Sequence, residues 1–415
     1  MLFTMSAAEN WEAEQLQQSL ARRVRAGWGA YWVASSRQEA PPVPPIALTG
    51  GIPDPETLPT EELIQASERV LRREGPEALR YGGHQGYPGL REWLAQHYAA
   101  LEGMPLTAEH FTITNGVSGG ILNVCETFLD EGDVGLCELP TYPGGAGTIQ
   151  HCLAELVGVP IDAEGLMPDV LEETIDRLER DGRRVKLLYT IANFQNPTGS
   201  TTTLERRHAI VDICQRHRVL IVEDDAYGDV RFEGERLPSL FALAGGKGAV
   251  FLGTFSKTVA TGLRVGWVIA DLPVIDALLR TRYDLGVSPW LQRTMLEFCS
   301  TGQWERHLAK MCDVYRRKAN ATLSGLDERC SRYAQWNQPK GGFFVWLTLA
   351  ESVDPVALAE AARNLGVAYV GGSSFYRGEG GRNNIRLAFS HVGAAEIPEA
   401  ILRLGRALEE ASSSA

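Results

Sequence analysis

The sequence predicts an α/β protein: a mostly parallel sheet covered by helices, followed by a smaller α+β unit. Three observations carry this. Between about residues 49 and 288, short apolar runs alternate with helix-like stretches, the rhythm that builds βα units. The strand candidates are 111–114, 134–138, 186–190, 220–223, 250–253 and 265–270; the run 249–253 is too apolar to alternate, which suits a strand buried on both sides. The glycine-rich, proline-rich and acidic segments fall just after these runs, at the carboxyl ends where open α/β sheets bind their ligands.

Residues 1–48 hold a polar helix-like stretch over 9–25 and a connector, Pro41-Pro42-Val43-Pro44-Pro45. This segment is expected to pack with the smaller domain. Residues 49–288 form the large domain. A long helical stretch over 290–323 then leads into the small domain, so that 289–415 is one unit, with strands expected at 342–347, 367–370 and 384–388. There is no internal repeat, and only the tail 412–415 is low in complexity.

At 415 residues the chain suffices for two or three domains of about 150 residues each. Apolar content of 44% and charged content of 22% are those of an ordinary globular protein. A net charge of −12 argues against nucleic acid or an anionic membrane as partner. The seven cysteines include no CxxC pair, which suggests buried thiols in a reducing compartment. Residues 1–10 lack the basic start and apolar core of a signal peptide, and no apolar run approaches about 18 residues. A cytoplasmic location is the expectation.

Lys257 leads the chemistry. The buried run 249–253 delivers it in Thr254-Phe255-Ser256-Lys257, with Arg264 one loop further on. Loss of solvation lowers a lysine's pKa and frees its amine to attack a carbonyl. Hydroxyls and a guanidinium suit a phosphate. An amine nucleophile beside a phosphate site is what pyridoxal phosphate requires. Alone, such a pair is more often a solvated loop; the other strand ends add weight.

After the first run, Asn115-Gly116-Val117-Ser118-Gly119-Gly120 opens a helix-like stretch. Its N–H groups and helix dipole can receive a phosphate, or it is a plain tight turn. Prolines flank Tyr142, which stacks on a flat ring or simply packs. Asn193-Phe194-Gln195-Asn196-Pro197-Thr198-Gly199 is a tight turn. Asp224-Asp225-Ala226-Tyr227 places two carboxylates at a strand end, where one can meet a protonated ring nitrogen and Tyr227 the neighbouring ring oxygen. No histidine or further carboxylate lies at a spacing that would make this a metal site. Arg386, alone on an apolar strand, is either half of a structural ion pair or a fork for a substrate carboxylate.

The segment from Leu48 to Pro55 with Gly50-Gly51 at its centre, then Leu79-Arg80-Tyr81-Gly82, Gly86-Tyr87-Pro88-Gly89-Leu90-Arg91, Asn196-Pro197-Thr198-Gly199, Glu223-Asp224-Asp225-Ala226-Tyr227 and Ser256-Lys257 with Gly262-Leu263-Arg264-Val265-Gly266 follow one another in this order. With them the chain resembles the class I/II aminotransferases, fold-type-I enzymes that use pyridoxal 5'-phosphate. It is similar in particular to the branch of α-aminoadipate and kynurenine aminotransferases. The resemblance implies a mostly parallel seven-stranded sheet and a homodimer with shared active sites. It also implies amino-group transfer between an L-amino acid and a 2-oxo acid in ping-pong fashion.

The resemblance assigns roles as well. Lys257 would link to the cofactor and carry the substrate proton. Asp224 would hold the ring nitrogen protonated, Asn196 and Tyr227 would bond the ring oxygen, and Tyr142 would stack on the ring. Val117 and Ser118, with Thr254, Ser256 and Arg264, would bind the phosphate, and Tyr81 would reach the phosphate in the neighbouring subunit. Arg386 would bind the substrate carboxylate, with Asn196 beside it and Gly51 allowing close backbone approach.

This chain departs from the family at Val117, Gly119 and Gly120, where more polar residues are usual, and at Ala192, where proline is common. The segment from Arg25 to Trp32, which in this branch helps to read the substrate side chain, has no clean counterpart. Trp28, Tyr31 and Trp32 would share a helix face, either towards a bulky substrate or into the small domain. Arg22, Arg23 or Arg25, turned inward, would instead read a distal carboxylate. A broad donor range including aromatic or long aliphatic amino acids is expected. The alternatives are another reaction on the same scaffold or a regulator with an aminotransferase-like domain; the latter lacks support in the short, helix-turn-helix-free segment before Gly50.

Overall fold

The structure, a computed structural model, describes residues 18–23 and 42–413. β1 (Ile46–Ala47) is followed by α1 (Thr60–Ala78), α2 (Pro88–Glu102), β2 (Phe111–Asn115), α3 (Gly116–Phe128), β3 (Val134–Leu139), α4 (Pro143–His151), β4 (Glu155–Asp162), β5 (Gly165–Leu166), α5 (Pro168–Arg180), β6 (Val185–Thr190), α6 (Leu204–His217) and β7 (Leu220–Asp224). Then come the short α7 (Leu240–Leu243), β8 (Ala249–Thr254), β9 (Val265–Ile269) and α8 (Leu272–Arg280). The C-terminal part holds α9 (Pro289–Ser300), α10 (Gln303–Arg329), β10 (Ala334–Trp336), β11 (Phe344–Leu349), α11 (Pro355–Leu365), β12 (Val367–Ala368), β13 (Val370–Gly371), β14 (Asn384–Ala388) and α12 (Ile397–Ser413). Pro88, Pro143, Pro168, Pro289 and Pro355 each open a helix, where a missing N–H costs nothing and the fixed φ fits.

The large sheet runs β2-β9-β8-β7-β6-β3-β4-β5. The pairings from β8 through β4 are parallel; β9 runs antiparallel to both β2 and β8. All six expected runs are strands. The seventh strand, β4, is missing from the sequence reading because it is half-exposed and broken by Gly158 and Pro160. The two-residue β5 extends the sheet at the same edge.

Burial on both faces explains the unbroken apolar runs. Along β8, Ala249 and Phe251 belong to one core cluster, while Val250 and Leu252 belong to the cluster on the opposite face. Along β9, Val265, Trp267 and Ile269 alternate with Val268 in the same way. No strand of this kind can show a polar face, so periodicity of two vanishes from its sequence.

The C-terminal part has its own core and an antiparallel sheet, β10-β11-β14-β13. β1 pairs in parallel with β12, and the Leu48 N–H donates to the Ala368 carbonyl at 2.8 Å, so the segment 46–48 is held against this part. Two expectations need correction. The helix over 290–323 is two helices, broken at Thr301-Gly302, where Gly302 takes a φ of 70° that stops α9 and starts α10. The strand at 367–370 is two short strands, β12 and β13, serving different sheets. The expected helix over 9–25 lies largely outside the described residues.

All seven cysteines are free thiols, five of them buried. Among the described residues, no helix is long and apolar enough to cross a membrane.

Candidate active site

The site forms where β7, β8, β6 and β3 end and the C-terminal sheet closes over them. β8 ends at Thr254, and the tight turn after it is self-bonded. The Ser256 N–H donates to the Thr254 hydroxyl at 3.0 Å, and that hydroxyl donates to the Ser256 hydroxyl at 2.9 Å. Lys257 follows, half-buried, its Nζ donating to the Gly51 carbonyl at 2.8 Å and lying 5.7 Å from the Tyr227 ring centre. Burial lowers its pKa to about 8; Asp224 pulls upward, and Arg386 and Arg264 push further down.

Asp224 ends β7 and is buried. Its Oδ2 accepts the Tyr189 hydroxyl at 2.7 Å and its Oδ1 the Ala226 N–H at 3.2 Å. Burial raises its pKa to about 6 against these two donors. Asp225 points elsewhere: it accepts from Asn193 Nδ2 at 2.8 Å and pairs with Arg236 at 3.4 Å. Two adjacent strand-end residues face opposite sides of a sheet, so only one of the two carboxylates reaches the site. Tyr227 is buried and packs edge-on against Phe343 and Phe344.

Gly116 opens α3 with a φ of 64°, and a Cβ there would lie 2.6 Å from Nη2 of Arg264. The glycine is thus needed for both conformation and space. Arg264 itself holds a φ of 52°, uncommon for a side chain of its size. Its Nη1 reaches the Ser256 hydroxyl at 3.5 Å and its Nη2 the Asn115 carbonyl at 3.1 Å. Val117 is buried and Ser118 exposed on this first helical turn. Thr254, Ser256, Arg264 and the start of α3 are therefore one polar cluster. Tyr142 is half-buried at the N-cap of α4.

From the C-terminal sheet, β14 brings Arg386. It is buried, donates from Nη1 to Asn196 Oδ1 and from Nη2 to the Thr49 carbonyl, both at 2.8 Å, and its guanidinium lies between the rings of Phe344 and Phe375, 4.3 and 4.8 Å from their centres. Gly51 packs under Phe344, where a Cβ would sit 2.7 Å from the ring. Arg386, Asn196, Gly51 and Lys257 are thus linked through direct contacts. Tyr81 is 87% exposed on the loop between α1 and α2. Trp28, Tyr31, Trp32 and Arg25 lie outside the described residues. Arg22 is exposed and pairs with Glu131 at the surface, away from an inward role.

Sequence reasoning passed over six supporting residues. Tyr189 holds Asp224. Gln195 donates to Glu138 at 3.0 Å and to the Pro140 carbonyl at 2.8 Å and accepts from Thr198, which ties the Asn196 turn to the end of β3. Burial lifts the pKa of Glu138 to about 7. Lys318, buried on α10, pairs with Asp54 and donates to the carbonyls of Ser390 and Val392, while the Ser390 hydroxyl donates to the carbonyls of Gly50 and Ile52. Phe344 and Phe375 complete the list. Tyr189, Glu138 and Phe344 sit in strands where a single residue carries no pattern, and Lys318 and Phe375 belong to no motif; only the polar Gln195 within a turn offered a signal.

Pyridoxal phosphate presents a phosphate, an aldehyde and a pyridine nitrogen. The residues fit it: a Cβ-free, cation-flanked helix start for the phosphate, a lysine with lowered pKa for the aldehyde, and a buried carboxylate for the nitrogen.

Comparison with known proteins agrees. The family model "Aminotransferase class I and II" matches residues 45–404. The aromatic-amino-acid aminotransferase 1 of Thermococcus litoralis is 33% identical over 371 residues, 88% of each chain. The crystal structure of a multiple substrate aminotransferase from Thermococcus profundus superposes with a TM-score of 0.89 at 29% identity, covering 96% of this chain and all of that one. An α-aminoadipate aminotransferase from Thermus thermophilus, complexed with N-(5'-phosphopyridoxyl)-L-leucine, gives a TM-score of 0.82 at 34% identity over 89% of this chain and 94% of that one. The chain belongs to the class I and II aminotransferases and works with pyridoxal phosphate.

Proposed function

We propose that this aminotransferase moves the amino group of a bulky aromatic, long aliphatic or glutamate-like L-amino acid to a 2-oxo acid, alternating the two substrates in one site. The observation that carries this is Lys257, an amine of lowered pKa one contact away from Gly51 and close enough to Asp224, Arg264 and Arg386 to feel all three charges. When bound, the cofactor draws electrons from the donor's Cα–H bond. Lys257 Nζ takes that proton as base and returns it as acid. Asp224 holds a protonated ring nitrogen, Asn196 and Tyr227 bond the ring oxygen, and Tyr142 covers the ring face. The phosphate is held by the amides of Val117 and Ser118 with Thr254, Ser256 and Arg264. Arg386 offers its two-pronged guanidinium to the substrate carboxylate beside Asn196, with Gly51 leaving room for close approach.

In this reading residues 49–288 are the cofactor-binding domain, 289–415 the small domain, and 1–48 its partner segment. The exposed Tyr81 serves the phosphate of a second copy, so the working form is a homodimer, in the cytoplasm. The bulky-donor range rests on the relatives named for aromatic and α-aminoadipate substrates and on the aromatic walls, Phe344 and Phe375, around Arg386. Comparing kcat/KM for phenylalanine, leucine, aminoadipate and aspartate with 2-oxoglutarate tests it. Bulky donors are expected to lead; a strong preference for aspartate overturns the reading. Ultracentrifugation that found an active monomer would remove the shared-site role of Tyr81.

A further inference from the structure

Tyr189 has no part in the reading above, yet it donates a hydrogen bond to Asp224. It stands on β6, beside β7, on the same sheet face as Val222 and Asp224, and is 1% exposed. Its hydroxyl lies 2.7 Å from Asp224 Oδ2. Burial and the adjacent carboxylate push the phenol's own pKa far up, so the hydroxyl keeps its proton and donates it.

The helix opposite makes room for that hydroxyl. α4 carries two adjacent glycines near its start, Gly144 and Gly145. A Cβ at Gly145 would lie 2.3 Å from Tyr189 Cζ and 2.7 Å from its hydroxyl, and a Cβ at Gly144 would lie 2.5 Å from Tyr142 Cζ. Neither glycine has a positive φ, so conformation does not require them. In a helix glycine is less favourable than alanine by about 1 kcal/mol. The missing side chains clear one tyrosine each.

We propose that Tyr189, housed in the space left by Gly145, is a positioning residue that fixes and keeps ionised the Asp224 carboxylate facing the cofactor's ring nitrogen. This rests on the reading that Asp224 pairs with that nitrogen. An O–H donor favours the charged form of a carboxylate. With Tyr189 on Oδ2 and the Ala226 N–H on Oδ1, the carboxylate cannot swing, and each oxygen keeps acceptor capacity for a further donor. The other ionisable groups around Asp224 are Asp225 on its own strand, Lys257 after β8 and Glu138 on β3, while Tyr142 neighbours Tyr189 itself. Among these only Lys257 is cationic, and the structure gives Asp224 no bond to it as short as the one from Tyr189.

The test uses pyridoxamine phosphate, which cannot link to Lys257, titrated calorimetrically into cofactor-free wild type, Tyr189→Phe, Gly145→Ala and Asp224→Asn across the mildly acidic to neutral range. The ligand's own titration is common to every arm, so only differences between proteins are read. Loss of a hydrogen bond to a charged group weakens binding about tenfold or more. Tyr189→Phe, which keeps the ring, is expected to show that loss, and the pH below which affinity falls moves upward because Asp224 gains its proton earlier. Gly145→Ala, which keeps the hydroxyl but displaces it, moves both readings in the same direction. Tyr189→Phe with wild-type affinity and an unmoved pH profile, alongside a weak Asp224→Asn, overturns the proposal and leaves the role of Asp224 standing. Asp224→Asn with wild-type affinity overturns the reading of Asp224 and the proposal with it.

Discussion

Lys257 and Asp224 sit at the ends of buried parallel strands, and burial shifts both: the amine down to about 8, the carboxyl up to about 6. Arg386, on the facing antiparallel sheet, is held by two aromatic rings and two oxygen acceptors. The large-sheet side of the site is tuned by desolvation, and the small-sheet side is fixed by geometry. The first suits proton movement and the second suits recognition of a group common to every substrate. If so, substitutions on the first side should lower kcat, and those on the second should raise KM.

The largest effect expected is that of Lys257→Ala. Loss of the acid–base amine should reduce turnover by about four orders of magnitude and abolish exchange of the donor's Cα hydrogen with solvent. Appreciable exchange in that variant would break the division at its centre. Next comes the contrast within the Asp224-Asp225 pair. Asp224→Ala should lower kcat about 1,000-fold, with little change in melting temperature. Asp225→Ala should spare most activity; it leaves Asn193 Nδ2 without its buried acceptor while Arg236 keeps Asp229 at 2.9 Å, costing roughly 1–2 kcal/mol of stability in denaturant titration. The reverse ranking would assign the ring nitrogen to the wrong carboxylate.

On the other side, Arg386→Lys keeps the charge and loses the fork. KM for donor and acceptor alike should rise about 10–100-fold, with a smaller fall in kcat. An equal fall in kcat with no change in KM would place Arg386 among the tuned groups instead.

The pH dependence follows from the sign of the lysine shift. Because the folded amine loses its proton near pH 8 rather than in the ordinary lysine range, the neutral fraction grows about tenfold per pH unit up to that point. Capture of pyridoxal phosphate by the cofactor-free protein should accelerate accordingly and level off above about pH 8. By linkage, the site's contribution to stability is full above the ordinary lysine range and declines as pH falls from there towards 8. The smallest effect is that of Phe375→Leu, which removes one of the two rings around Arg386. A cation–π contact of about 1 kcal/mol predicts a several-fold rise in KM at constant kcat.

Much of this was legible without coordinates. Six strands of the large sheet stood out because short apolar runs alternate with helix-like stretches, most clearly β8, whose burial on both faces leaves an unbroken apolar run, and Lys257, Asp224 and Arg386 stood out because a charge beside an apolar strand demands a reason. β4 did not, since an edge-ward strand with Gly158 and Pro160 resembles a loop. The break at Thr301-Gly302 did not either, because two amphipathic helices in succession read as one.

The sequence by itself determined the fold class, the family and the reactive groups, because these rest on local patterns: apolar continuity, turn chemistry and motifs of a few residues. Only the tertiary structure decided which neighbour each group would face. That Tyr189 meets Asp224 across 35 positions, that Gly145 clears the hydroxyl, that Arg386 lies between Phe344 and Phe375, and that Lys318 locks the Asp54 segment to the Ser390 loop are all matters of packing. A single aromatic, glycine or lysine has no sequence signature of its own, and its role is set by what the fold brings against it.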